Sequence, residues 1–310
     1  MIDPVQNQVP RSRPVVAVIG LGAMGGVIAE RVLQAGFRTI VLDIRREAME
    51  PYRGRADFAD SPKDATDRAD IIICCLPTLE SYWDIVQGPR GIIGSAHKCI
   101  YVHAGTTGAP LVGKIDAALS GVGITVLDAP VTGGVARAKA GDLTVIASGP
   151  KVVFDATATV LRAYASKIVY FGASAGAAQT MKLVNNMLNF ANLALASEIL
   201  VTGVKAGLDP NLMLEVINSG SGQNSATLTK FPRHILPGTF DFQGWMSHVI
   251  KDSGAFIEQA RALGVRTPLS DEVHQTYLHA FDMGDSRRDY DITEVIRHME
   301  KAAGVEVRSK

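Results

Sequence analysis

Lys182 and Asn186 stand four residues apart in an apolar stretch, and Asn189 follows three further on. That spacing puts all three side chains on one side of a helix. Leu183, Met187, Phe190 and Ala194 form an apolar stripe beside them. An amine next to such a stripe can be held away from water, and burial lowers a lysine's pKa toward the range where it exchanges protons near neutral pH. The chemistry on offer is proton transfer at an oxygen. Lys182 would take the proton of an alcohol whose carbon loses hydride, or return it to a carbonyl oxygen in reverse, while Asn186 holds the reacting or neighbouring oxygen. Spacing alone favours a solvated lysine at a helix end.

A second constellation is Gly20-Leu21-Gly22-Ala23-Met24-Gly25. A bare GxGxxG is weak evidence, but here Val15-Val16-Ala17-Val18-Ile19 reads as a strand leading in and residues 24–34 as a helix leading out. Glycines permit the tight turn and the close approach of backbone to a pyrophosphate at the helix N-terminus. A second strand over residues 39–42 ends in Asp43, where an acid accepts hydrogen bonds from the adenine ribose hydroxyls. Asp43 favours NAD, since a 2′-phosphate would meet its charge. Arg45 and Arg46 follow at once and leave NADP as the alternative.

Three further loops lie at the ends of strand-like runs. Leu76-Pro77-Thr78 and Gly105-Thr106-Thr107 read either as contacts for the nicotinamide half of a dinucleotide or as ordinary turns. Thr132-Gly133-Gly134 offers successive backbone N–H groups and a hydroxyl, a nest suited to a carboxylate, or else a plain Gly-Gly loop. The polar segment 219–225 is a connector, or it brings Asn224 and Ser225 to a substrate.

The elements that must position these residues fall into two patterns. Up to about Gly172, short β-branched runs (residues 15–19, 39–42, 71–75, 99–102 and 124–127) alternate with amphipathic stretches (23–34, 81–86 and 109–119). Continuous apolar strands alternating with helices predict an α/β fold, a Rossmann-like doubly wound parallel sheet covered on both faces. Runs at 143–148 and 167–170, flanking a helix near 152–163, predict an antiparallel or mixed edge. Beyond Gly176 the strand signal fades. Residues 177–206 form one long helical pattern without proline, ended by Gly207 and Pro210, and further helices are expected over 210–219, 244–263, 269–283 and 292–303. The predicted organisation is a dinucleotide-binding domain over 14–174, a long interdomain helix over 175–206 and an all-α C-terminal domain over 207–310.

Four ordered segments resemble the β-hydroxyacid dehydrogenase family, which includes 3-hydroxyisobutyrate, tartronate semialdehyde and threonate dehydrogenases. They are the glycine motif at 20–25, then Asp128-Ala129-Pro130-Val131-Thr132-Gly133-Gly134 with Ala138 and Gly141, then Gly172 and Gly176 with Lys182-Leu183-Val184-Asn185-Asn186, and finally Lys251-Asp252 with Gly264 and Pro268. The resemblance spans about residues 14–268 and implies a site in the cleft between domains and a helical domain that builds oligomer contacts. It also implies substrate binding at Thr132, Gly133 and Gly134, catalysis at Lys182, substrate orientation at Asn186, and a place for Lys251 near the cofactor. One departure stands out. Where the family shows an acid followed by a Ser-Thr pair, this chain has His103-Ala104-Gly105-Thr106, which leaves the lysine chemistry intact and the substrate unspecified.

Composition narrows the partners. Lys+Arg and Asp+Glu are both 31, so no global charge draws the chain to nucleic acid or an anionic membrane. The three cysteines, two of them adjacent in an apolar run, read as buried soft residues of a reduced, cytoplasmic protein. No metal-ligand spacing is seen among the seven histidines. Residues 1–13 read as a polar arm, and the longest apolar run, 183–201, is interrupted by Asn185, Asn186, Asn189, Asn192 and Glu198, so no membrane span is expected. The expectation is a hydroxy-acid dehydrogenase acting on a small carboxylate with NAD or NADP, as a homodimer or homotetramer. Its rivals are an imine reductase, against which Lys182 argues, and a dehydrogenase-like scaffold without catalysis.

Overall fold

The computed structural model describes residues 13–284 and 289–309, so the arm expected over 1–13 lies, Arg13 excepted, outside the described residues. Two compact units divide the chain, Met1–Gln179 and Thr180–Lys310.

The first unit runs β1 (Val16–Ile19), α1 (Gly25–Gln34), β2 (Thr39–Leu42), β3 (Asp57–Phe58), α2 (Pro62–Arg68), β4 (Ile71–Cys74), α3 (Leu79–Gln87), β5 (Ile100–His103), α4 (Ala109–Ser120) and β6 (Thr125–Asp128). The six strands form one sheet in the order β3-β2-β1-β4-β5-β6, every pair parallel. This is the doubly wound order whose ligands sit beyond the strand C-termini, where the order reverses beside β1. Alternation along each strand explains the two covered faces. Val16, Val18, Ile71 and Ile73 pack with Ile28 and Val32 of α1 on one side. Ala17, Ile19, Ile72 and Cys74 pack with Tyr82 of α3 and Ile115 of α4 on the other.

The chain continues through β7 (Val131–Thr132), α5 (Gly134–Lys139), β8 (Leu143–Ala147), α6 (Lys151–Leu161) and β9 (Ala165–Tyr170). Here the expected mixed edge takes another form. β7, β8 and β9 make a separate three-stranded sheet, antiparallel between β7 and β8 and parallel between β8 and β9, tied to β6 by the Asp128–Ser148 bridge.

The second unit is helical. It holds most of α7 (Ala177–Lys205), then α8 (Pro210–Ser219), a π-helical segment Ala226–Ile235, α9 (Met246–Ala262), α10 (Pro268–Asp282), a 3₁₀ turn Ile292–Val295 and α11 (Ile296–Ala303). Asp209 caps α8 by accepting from the backbone N–H groups of Asn211 and Leu212 at 2.8 and 3.2 Å, which satisfies donors the helix leaves orphaned. Phe190, Leu193 and Leu200 of α7 share a core with Phe231, Met246, Tyr277 and Ile296. Tyr277 donates its hydroxyl to the Phe190 carbonyl at 3.1 Å. By length and composition α7 could cross a membrane, contrary to the sequence expectation, because its asparagines are diluted by Leu, Met and Ala; half of that apolar window is buried within the protein.

Candidate active site

The glycine loop of the first unit is tight on one side and open on the other. Gly20 has φ +91°, and a Cβ there would lie 2.3 Å from the Cys75 carbonyl oxygen. A Cβ on Gly25 would lie 1.9 Å from the Gly20 carbonyl oxygen. At Gly22 a Cβ would meet nothing within 4 Å, so this backbone faces open space that a phosphate can approach. The first turn of α1 carries no acidic residue and no side-chain cap; its Gly26 N–H is taken by the Gly22 carbonyl at 2.8 Å, and the positive end of the helix favours an anion.

Asp43, at the end of β2, accepts from the Leu21 backbone N–H at 2.7 Å and from the Arg45 N–H at 2.9 Å. It therefore shapes the glycine loop as well as standing where a ribose would be read. The Arg45 guanidinium lies 3.4 Å from the same carboxylate, whereas Arg46 pairs with the exposed Asp60 at 3.8 Å. Gly20, Leu21, Gly22, Ala23, Met24, Gly25 and Asp43 are thus brought together as one loop and its acid, and they fit a dinucleotide.

The loops after β4 and β5 are held from beneath. Tyr82 is fully buried; its hydroxyl accepts from the Leu76 N–H at 3.0 Å and donates to the Cys74 carbonyl at 3.2 Å. A Cβ on Gly105 would lie 1.9 Å from that same hydroxyl. Pro77 is exposed and Thr106 half-buried, both beyond strand ends. Thr78 accepts from the Ser81 N–H at 3.0 Å as the cap of α3, so its hydroxyl has a structural task.

His103, which replaces the family's acid, is buried at the end of β5. Its ring lies 4.2 Å from that of Tyr82, and its Nε2 is 2.9 Å from the Thr107 hydroxyl. Gln179 ties the neighbourhood together. Its side-chain oxygen accepts from the N–H groups of Thr107 and Gly108 at 2.8 and 3.1 Å, and its amide donates to Gly105 at 3.0 Å and to Asp128 at 2.7 Å. Burial pushes the Asp128 carboxyl up to about 6 against the hydrogen bonds from Gln179 and Ser148. Thr132 is half-buried, and Gly133 and Gly134 expose backbone at φ +134° and +76°, conformations that favour glycine.

In the second unit, Lys182, Asn186 and Asn189 are half-buried on α7. The Asn186 amide donates to Asp252 Oδ2 at 2.8 Å, and Lys251 reaches Asp252 Oδ1 at 3.0 Å. Asp252 is buried and Lys251 about one-third exposed. Burial pulls the Lys182 amine down to about 8; the Asp252 carboxylate opposes the shift and the Lys251 cation adds to it. Across 41 positions of sequence, Lys230 Nζ donates to Asn189 Oδ1 at 2.8 Å, and the Ser225 hydroxyl donates to the same oxygen at 3.2 Å. Asn224 serves as a local cap, accepting from the Ala226 N–H at 2.9 Å.

The structure thus gathers Lys182, Asn186, Lys251 and Asp252 into one cluster and the glycine loop with Asp43 into another. Asp252 was visible only as the neighbour of Lys251. Lys230, Tyr82 and Gln179 were not foreseen: Lys230 is a charged residue on the buried face of a segment broken by Pro232, Tyr82 reads as a core aromatic, and Gln179 acts through contacts remote in sequence. Among the described residues, no group of three or more His, Cys, Asp or Glu side chains could hold a metal ion.

Two family models match the chain, the NAD binding domain of 6-phosphogluconate dehydrogenase over residues 15–172 and the NAD-binding domain of NADP-dependent 3-hydroxyisobutyrate dehydrogenase over residues 176–299. The L-threonate dehydrogenase of Cupriavidus necator is 30% identical over 276 residues, covering 88% of this chain and 93% of that protein. The 2-(hydroxymethyl)glutarate dehydrogenase of Eubacterium barkeri is 30% identical over 294 residues, covering 94% and 97%. Among solved structures, Mycobacterium tuberculosis 3-hydroxyisobutyrate dehydrogenase with L-serine superimposes with a TM-score of 0.82 at 25% identity, covering 93% of this chain and 99% of that one.

Proposed function

The chain belongs to the β-hydroxyacid dehydrogenase family, and from that premise we propose that Lys182 is the acid–base group of its reaction. The protein is an NAD(P)-dependent oxidoreductase of small hydroxy acids. The observation that carries the assignment is the Lys182 amine, brought down to about 8 by burial and set beside the Asp252–Asn186 pair.

NAD, with NADP as the alternative, supplies the hydride acceptor or donor when bound. Gly20, Leu21, Gly22, Ala23, Met24 and Gly25 would hold its pyrophosphate and Asp43 its ribose; Leu76, Pro77, Thr106 and Lys251 are the further contacts proposed for it. In oxidation the neutral Lys182 amine accepts the alcohol proton, and in reduction the ammonium returns it to the carbonyl oxygen. Asn186 spends one amide N–H on Asp252 and keeps the other for the substrate oxygen, so its orientation is fixed before substrate arrives. Thr132, Gly133 and Gly134 offer a hydroxyl and backbone N–H groups to the substrate carboxylate.

We further place the protein in the cytoplasm as a homodimer or homotetramer. Three free cysteines support the compartment. Apolar side chains exposed along α7 and α8, among them Leu188, Leu195, Leu212 and Val216, support the assembly. Sedimentation of the purified protein as a monomer would contradict the latter.

The activity is tested by following nicotinamide absorbance with NAD and NADP against both enantiomers of 3-hydroxyisobutyrate, glycerate, threonate and serine. Turnover of at least one is expected. No change across the panel, or turnover of cyclic imines alone, would overturn the assignment.

A further inference from the structure

Lys230 is 2% exposed, and among the described residues no carboxylate pairs with it. Among the same residues its amine has one hydrogen-bond acceptor, the neutral Asn189 side chain at 2.8 Å, and it lies 5.1 Å from the centroid of the Phe242 ring. Burying a cation without a counter-ion is costly, and such lysines are normally paired or neutral. Burial indeed pulls this amine down to about 8. The cost is met on a π-helical segment, Ala226–Ile235, a geometry rare in proteins and frequent at functional sites.

The position of its partner gives the lysine a direction. At 100° per residue, Asn189 lies about 20° around α7 from Lys182 and two turns along it, a rise of roughly 10 Å. Asn186 sits between them. One polar stripe therefore runs from the Lys182 amine through Asn186 to Asn189, with the Lys230 amine at its far end. Ser225, which donates to the same Asn189 oxygen, is exposed, so this end of the stripe reaches the surface through polar groups.

We propose that Lys230 determines substrate specificity by pairing with a second anionic group, so that the preferred substrates are hydroxy acids carrying a further carboxylate or phosphate. The proposal rests on the assignment of Lys182 as the reacting end of the stripe. An anion entering beside Asn189 gives the buried ammonium the counter-charge it lacks, and a charge-assisted hydrogen bond of this kind is worth roughly 10- to 100-fold in affinity.

Matched substrates test it. 3-Hydroxyisobutyrate, 2-(hydroxymethyl)pentanoate and 2-(hydroxymethyl)glutarate share a head group and differ in a methyl, an uncharged chain and a charged chain. Erythronate and 4-phosphoerythronate form the phosphate arm. The expected result is that the charged member of at least one arm exceeds its uncharged counterpart at least tenfold in kcat/KM, chiefly through KM. Lys230→Met abolishes that preference while uncharged substrates keep their kcat, and Lys230→Arg retains part of it. Whichever arm responds identifies the second anion. Equal preference in wild type and Lys230→Met, or no preference in either arm, overturns the proposal.

Binding of glutarate against pentanoate, measured by calorimetry on wild type and Lys230→Gln with unchanged Tm, reads the same contact without turnover. Lys230-dependent glutarate binding in a protein inert to every hydroxy acid would sink the dehydrogenase assignment and leave anion recognition standing. Active protein that binds both acids equally would do the reverse.

Discussion

Asn186 and Asp252 are joined by a 2.8 Å hydrogen bond across 66 positions of sequence, and the same carboxylate takes Lys251 on its other oxygen at 3.0 Å. One buried acid thereby orients an amide, holds a cation and opposes the drop in the Lys182 pKa. Asp252→Asn removes that opposition. Its profile of kcat/KM for alcohol oxidation against pH should break at lower pH than the wild type's, with kcat reduced roughly tenfold by the loosened Asn186. An unchanged break would show that Asp252 acts on packing alone.

Lys182 should cost stability and supply rate. Its amine is depressed from the ordinary 10.5 to about 8, so between these values the unfolded chain binds more protons and stability rises with pH. Below pH 8 the folded state carries the full cost of a charged, poorly solvated amine. Lys182→Met is therefore expected to be more stable near pH 7 by about 1–2 kcal/mol, discounted for partial solvent access, a gain that fades above pH 10.5. Its turnover should fall about 10²–10⁴-fold while the dissociation constant for the cofactor stays unchanged. Thermal melts across pH and cofactor titration by fluorescence check both halves.

Asp43 and Arg45 should set the cofactor preference. Asp43→Asn removes the charge that would repel a 2′-phosphate and frees the Arg45 guanidinium now 3.4 Å from it. The ratio of kcat/KM for NADP over NAD is expected to rise at least tenfold. A ratio that stays put would move the adenine ribose away from this strand end.

Gly25 should tolerate no side chain. Its Cβ would stand 1.9 Å from the Gly20 carbonyl, backbone against backbone, so Gly25→Ala must shift the loop. A loss of about 1–3 kcal/mol is expected, as for overpacking elsewhere, together with weakened cofactor binding. Gly22→Ala, where a Cβ meets nothing within 4 Å, should leave stability near wild type and weaken cofactor binding alone. Equal melting temperatures for the two variants would contradict this contrast.

How much of this the sequence carried follows from the range of each interaction. β2 emerged with the expected bounds, Thr39–Leu42, because a β-branched run stands between Gly36 and Asp43. α8, bracketed by Asp209 and Gly220, did so too. β3 and β7, each two residues long, leave no periodicity to read, and α2 and α5 span barely two turns. The π-helical segment escaped because Pro232 interrupts it and two of the residues on its buried face, Thr227 and Lys230, are polar. That Lys182 and Asn186 share one helix was legible from spacing, while the roles given to them came from the family resemblance; Gln179 under the β5 loop and Lys230 beside Asn189 depend on contacts 41 or more positions apart.

The pH dependence of alcohol oxidation, measured as kcat/KM on wild type and Lys182→Ala, tests the role of the Lys182 amine most directly. In wild type, log kcat/KM should rise with unit slope to a break near 8 and then level off, as the neutral amine becomes available; carbonyl reduction should fall through the same pH. In Lys182→Ala the residual rate should show no such break. A break of the same height and position in the variant would contradict the assignment, because the titrating base would then be some other group.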